Sequence, residues 1–148
     1  MEKSLVALTV LTLVCLVPAR AQNSAACTPA SLRGTYSVTC SGVSSPAPGA
    51  PQMPFSGLGI IKYDWGGNYS ASFKVSLGGT TVDYTGTGVT VVNSDCTGTN
   101  VFDAKVNGQP AGKINYIFHI LDDGKEQRIT SPDPGNNVIC EAKLMSRQ

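Results

Sequence analysis

Charge is scarce in this chain: Asp, Glu, Lys and Arg make up 14% of its 148 residues, with 11 basic side chains against 10 acidic ones. A surface so balanced offers no electrostatic attraction to nucleic acid or to an anionic membrane, and neither is expected as a partner. Histidine is scarcer still, since His119 is the single example. With no paired Cys-x-x-Cys knuckles either, a structural zinc site is not expected. No Gly-x-Ser-x-Gly string occurs, which argues against a hydrolase built on a nucleophile elbow. The segment Gly108-Gln109-Pro110-Ala111-Gly112-Lys113 has the wrong spacing for a phosphate loop and runs into Ile114, so it reads as a turn. Asp122, Asp123 and Glu126 cluster near another turn but lack calcium-loop spacing. No catalytic residue, metal or cofactor is assigned on these grounds. Outside the N-terminal segment, stretches rich in Ala, Leu, Glu and Lys at helical spacing are missing, so no helix is expected.

What is present begins with an export pattern. Lys3 precedes an uncharged run of mainly Leu and Val from Leu5 to Val17, followed by Ala19-Arg20-Ala21. This is the layout of a signal peptide over residues 1–21, with cleavage ahead of Gln22. The run is too short and too early for a membrane span, which takes about 20 apolar residues, and no other segment of the mature chain is apolar enough. Residues 22–148 then form one domain, secreted or periplasmic. Cys15 leaves with the signal, and Cys27, Cys40, Cys96 and Cys140 remain. An even count in an exported chain reads as two disulfides, with three connectivities open.

Thr, Val, Tyr and Ile recur in runs separated by Gly, Asn, Asp and Pro, as strands joined by tight turns do. The runs fall near 33–42, 54–64, 68–77, 80–92, 98–107, 113–121, 125–131 and 136–145, which predicts eight strands. Only 43–53, with its prolines, is long enough for an irregular loop. Eight antiparallel strands in sequence order can close edge to edge and satisfy both terminal strands, so an up-and-down barrel is preferred to an open sandwich. Closure sets the first strand beside the last. That brings Cys40 to Cys140 and leaves Cys27 for Cys96.

Aromatic residues are spread over most of the runs. Pointing inward, they either fill the barrel as its core or line an apolar pocket with hydroxyl handles. Tyr36, Tyr84, Tyr116 and His119 are the candidate ligand-binding residues. In Asn115-Tyr116-Ile117-Phe118-His119-Ile120-Leu121, alternation sets His119 on the face of Asn115, Ile117 and Leu121, opposite Tyr116 and Phe118. In a lumen this histidine could act as a base or orient a ligand; the plainer reading is a partly exposed strand histidine.

The segments Ser31-Leu32-Arg33-Gly34-Thr35-Tyr36, Phe55-Ser56-Gly57-Leu58-Gly59, Asp95-Cys96-Thr97-Gly98-Thr99 and Val138-x-Cys140-x-Ala142-Lys143 resemble a family of small exported bacterial proteins of the acidobacterial type. Their barrels are similar to the calycin and allene-oxide-cyclase class. The resemblance covers nearly the whole mature chain and implies that barrel fold, but it brings no catalytic residues with it. Cys40 and Cys140 are additions to its commoner pattern. The expected function is therefore an exported barrel that binds a small apolar or amphipathic molecule or an envelope partner. A cofactor-independent barrel isomerase or cyclase and a structural or adhesive envelope protein are the alternatives.

Overall fold

Period-two alternation, β-branched residues and two-residue turns dictate a meander of strands, and the computed structural model is that meander closed on itself. It describes residues 26–45 and 49–147. The export segment read at 1–21, its cleavage point ahead of Gln22 and Cys15 lie outside the described residues. Eight strands follow in chain order: β1 (Gly34–Ser44), β2 (Met53–Tyr63), β3 (Asn68–Leu77), β4 (Thr80–Val92), β5 (Thr97–Val106), β6 (Gln109–Leu121), β7 (Glu126–Thr130) and β8 (Asn136–Ser146). Each pairs antiparallel with the next, and β8 pairs with β1, so the sheet is a closed barrel without a free edge.

Two boundaries differ from expectation for local reasons. Asn107 and Gly108 both take positive φ, 49° and 82°, as a tight two-residue hairpin turn requires, so β6 begins at Gln109 and not near 113. Pairing of β1 with β2 continues to Ser44↔Met53, which confines the proline-rich connection to 45–52. Two short 3-10 turns, Pro29–Leu32 and Asp122–Gly124, are the only helical elements among the described residues. No helix there is long and apolar enough to cross a membrane.

The two ends of the barrel are unlike. At the end where β1 starts, the Pro29–Leu32 turn lies across the opening, and Leu32 is completely buried. Arg147 donates to the carbonyls of Ser31 and Asp123, and the Tyr36 hydroxyl donates to the carbonyl of Gly124. The Cys27–Cys96 disulfide ties this plug to the β4–β5 turn. The Cys40–Cys140 disulfide joins residues directly opposite each other on β1 and β8, across the seam where the barrel closes. Both bridges are thus the pair expected from closure. Such bonds persist in oxidising compartments, which places the chain outside the reducing cytoplasm.

All nine Tyr and Phe side chains belong to the core or pack against it, and the one Trp sits exposed on the β2–β3 turn, under the Arg33 guanidinium. Room for nine rings in one barrel comes from glycines inside strands. Gly59 pairs with Phe73, Gly88 with Tyr69 and Gly98 with Phe118, and each ring occupies the space a Cβ on its glycine would need. The Thr-Gly-Thr segments around Gly86 and Gly98 are therefore strand interiors and not turns.

Candidate functional site

Inward residues near the plugged end are large and mutually bonded. Tyr36 and Tyr63 meet edge to face with ring centroids 5.7 Å apart, and Tyr63 approaches Tyr69 at 5.4 Å. A polar chain crosses this layer in one direction. Thr90 Oγ1 donates to Asn100 Oδ1 (2.6 Å), Asn100 Nδ2 reaches the Tyr63 hydroxyl (3.5 Å), and that hydroxyl donates to Gln127 Oε1 (3.2 Å). Thr90, Asn100 and Gln127 are all buried. The chain ends on a donor, Gln127 Nε2, that has no partner in the protein.

Above this layer the lumen is not filled. A cavity of about 80 Å³ is walled by apolar side chains, among them Val38, Ile61, Phe73, Phe102 and Ile129, and by the Cys40–Cys140 disulfide. Three tyrosines, Tyr69, Tyr84 and Tyr116, with Asn100 and Ser131, also belong to the wall. Phe55, Ile114, Tyr84 and Tyr116 are only half-buried, so the cavity communicates with solvent at the end opposite the plug. That is about half of the roughly 150 Å³ that takes one benzene molecule, so a molecule of that size would have to extend into the opening. Long acyl chains exceed it.

Tyr69 is the most buried of the three residues, at 5% exposure, and its hydroxyl oxygen is shut off from solvent and finds no hydrogen-bond partner in the protein. Burial pushes its pKa far above the ordinary tyrosine value, with the neighbouring Tyr63 and Tyr116 adding to the rise. Burial likewise raises Tyr116, helped by Tyr84 and by the Asp133 carboxylate, and burial alone raises Tyr84. All three stay protonated at neutral pH and act as neutral hydrogen-bonding groups.

The structure divides the four residues singled out from sequence. Tyr84 and Tyr116 share the cavity wall. Tyr36 points inward but lies in the packed layer at the plugged end, with its hydroxyl committed to Gly124. His119 is a correction to any lumen role, because it lies exposed on the outer face between Thr97 of β5 and Arg128 of β7. Its neighbours Phe118 and Ile120 are buried, on the same inward face of β6 as Ile114 and Tyr116. Sequence reasoning missed Tyr69, Asn100 and Ser131 as wall residues. For Tyr69 the signal was available, since it alternates with Ala71, Phe73 and Val75 on one face of β3.

Outside the barrel, several carboxylates are occupied in surface contacts. Asp122 pairs with Lys125, Glu126 with Arg128, and Glu141 with both Arg128 and Lys143. Among the described residues no cluster of three or more His, Cys, Asp or Glu side chains forms. The fold and cavity define the class: a closed eight-stranded meander barrel, plugged at one end and hollow towards the other. No family model, curated protein or solved structure matches this chain.

Proposed function

We propose that the protein is an exported binding barrel that holds one compact, mostly apolar molecule in the upper lumen. The observation that supports this most directly is the cavity itself, an apolar chamber with three tyrosines in its wall, at the end of the barrel away from the plug. Small-molecule sites have that composition, a predominantly apolar wall with a few placed polar groups. The signal segment at 1–21 would deliver the chain to the periplasm or the medium, where the two disulfides form. The calycin-like resemblance accords with a cup of this kind, although fold alone assigns no activity. The isomerase alternative rested on a few polar lumen groups, His119 and Tyr116 among them; Tyr116 borders the cavity, and His119 lies on the outer surface.

Methyl NMR tests the reading. Xenon and cyclopentane are titrated into the disulfide-bonded protein while the methyl groups of Val38, Ile61, Val75 and Ile129 are followed. Saturable shifts confined to these residues, lost when Ala71→Phe fills the lumen, are the expected result. Lumen methyls that respond to neither probe would overturn it.

A further inference from the structure

The ring of paired strands is complete, but its height is uneven. β7 spans 5 residues, whereas β6 has 13 and β8 has 11. Pairing of β6 with β7 stops at Ile117↔Thr130, and pairing of β7 with β8 stops at Thr130↔Ile139. At the hollow end, residues 109–116 of β6 therefore have β5 alone as a strand neighbour. The wall between β6 and β8 is continued there by the connection Ser131-Pro132-Asp133-Pro134-Gly135. One side of this strap is tied to the β1–β2 connection, where the Gly135 carbonyl accepts from the Ser45 amide (3.1 Å) and from Gln52 Nε2 (3.2 Å). On the other side a single residue ties it to β6: the Asp133 carboxylate accepts from the Asn115 amide and from Asn115 Nδ2, both at 2.9 Å and both exposed to solvent. Pro132 and Pro134 have no amide hydrogen with which to add a further bond.

The strap borders the cavity. Ser131 within it, Asn136 directly after it and Tyr116 beside its anchor Asn115 all belong to the cavity wall. Asp133 is close enough to add to the rise in the Tyr116 pKa. Strand sections of the wall are held by backbone ladders on both flanks, whereas the strap is held to β6 by one exposed side chain, so it is the section that opens at least cost. The closed chamber, at about 80 Å³, is also smaller than the roughly 150 Å³ that takes benzene, and a compact molecule of that size gains from a wall that yields.

We propose that the Ser131–Gly135 strap is a gate in the barrel wall, latched by Asp133 on Asn115, which swings away from β6 to admit a molecule larger than the closed cavity. This rests on the binding reading above and adds how the site opens and what its opening selects. A ligand that fits only with the strap displaced must supply the free energy of releasing the latch, and its apparent affinity falls by that amount. A ligand that fits the closed chamber carries no such cost. Loosening the latch therefore tightens binding of the larger ligand and leaves the smaller one unchanged.

Two probes of different size test the gate. Xenon, a single atom, and benzene are titrated into the disulfide-bonded wild type, Asp133→Ala and Asp133→Asn, with affinities and exchange rates taken from the lumen methyl signals. Asp133→Ala should bind benzene about tenfold more tightly than wild type, the scale of one hydrogen bond to a charged group, and should exchange it faster. Xenon should bind all three proteins alike. Asp133→Asn, which keeps one acceptor oxygen, should fall between the other two for benzene. If Asp133→Ala leaves benzene affinity unchanged, or shifts benzene and xenon equally, the gate is overturned while the binding barrel stands. If neither probe binds any of the three proteins, both readings fall together. Wild-type methyl shifts for Leu32 in the plug show that a variant has kept its fold; should Asp133→Ala fail this check, Asp133→Asn carries the same comparison with a smaller change.

Discussion

The ring of Tyr69 on β3 lies over Gly88 on β4, so closely that a Cβ at residue 88 would stand 2.6 Å from two ring carbons and would also meet the carbonyl of Val101. One residue of the pair is large because the other is absent as a side chain. Gly88→Ala is therefore expected to destabilise by about 2 kcal/mol or more, since the methyl meets backbone on one side and a buried ring on the other. Urea denaturation would show this as a lowered midpoint with an unchanged slope. A midpoint equal to wild type would mean that the ring can move aside.

Tyr63 and Tyr69 are adjacent rings with opposite hydrogen-bond circumstances, so the same substitution should act differently on them. Tyr63→Phe removes a hydroxyl that Asn100 and Gln127 share, leaves their buried amides short of partners, and is expected to cost about 1–3 kcal/mol. Tyr69→Phe removes a hydroxyl without a partner and should leave the ligand-free protein as stable as wild type or slightly more so. Paired urea curves settle the contrast, and equal losses in the two variants would contradict it.

Alkaline titration should reveal no ordinary tyrosine. The chain has five, and all five are raised above 10.0, with burial the largest cause in each. Raised folded values favour the protonated form in the native state. The resulting stability is fully present below the ordinary value of 10.0 and is lost as pH climbs through the folded values. Tyrosinate absorbance should therefore stay flat past pH 10 and then rise together with loss of the fold. A gradual rise centred near 10 without unfolding would mean that several rings are accessible.

The Cys40–Cys140 bridge closes a loop of 100 residues in sequence separation and spans the seam of the barrel. Replacing both cysteines by Ala should cost about 2–4 kcal/mol, chiefly by releasing the unfolded chain. The Cys27–Cys96 bridge, at a separation of 69, should cost a similar amount by the same argument. It differs in also loosening the plug, so the Tyr36 hydroxyl should exchange faster only in that second variant. Hydrogen exchange with denaturation curves distinguishes the two.

Much of this architecture was legible in the residues themselves. Strand positions followed from runs of β-branched residues between Gly, Asn and Asp, because alternation and turn chemistry are local properties of the chain. Closure and both disulfides followed from the need to satisfy the edges of an eight-strand meander. The candidate site was legible only in part. Tyr84 and Tyr116 reach the cavity, whereas Tyr36, with the same inward alternation, sits in the packed layer, because depth along the barrel depends on the stagger between strands. The lumen side of β6 was also obscure locally, since Ile117 and Leu121 face outward while Phe118 and Ile120 face inward, giving apolar residues on both sides.

By itself, then, the sequence determined what short-range physics controls: strand succession, turn types, a ring-rich interior, and the cysteines available for pairing. Only the tertiary structure decided which rings pack and which border empty space. Gly59, Gly88 and Gly98 acquire their purpose from aromatic residues on neighbouring strands, Phe73, Tyr69 and Phe118, and that pairing exists only once the register is set. The hollow end, the plugged end and the unpartnered Tyr69 hydroxyl are sums over all eight strands, and no single segment of the chain contains them.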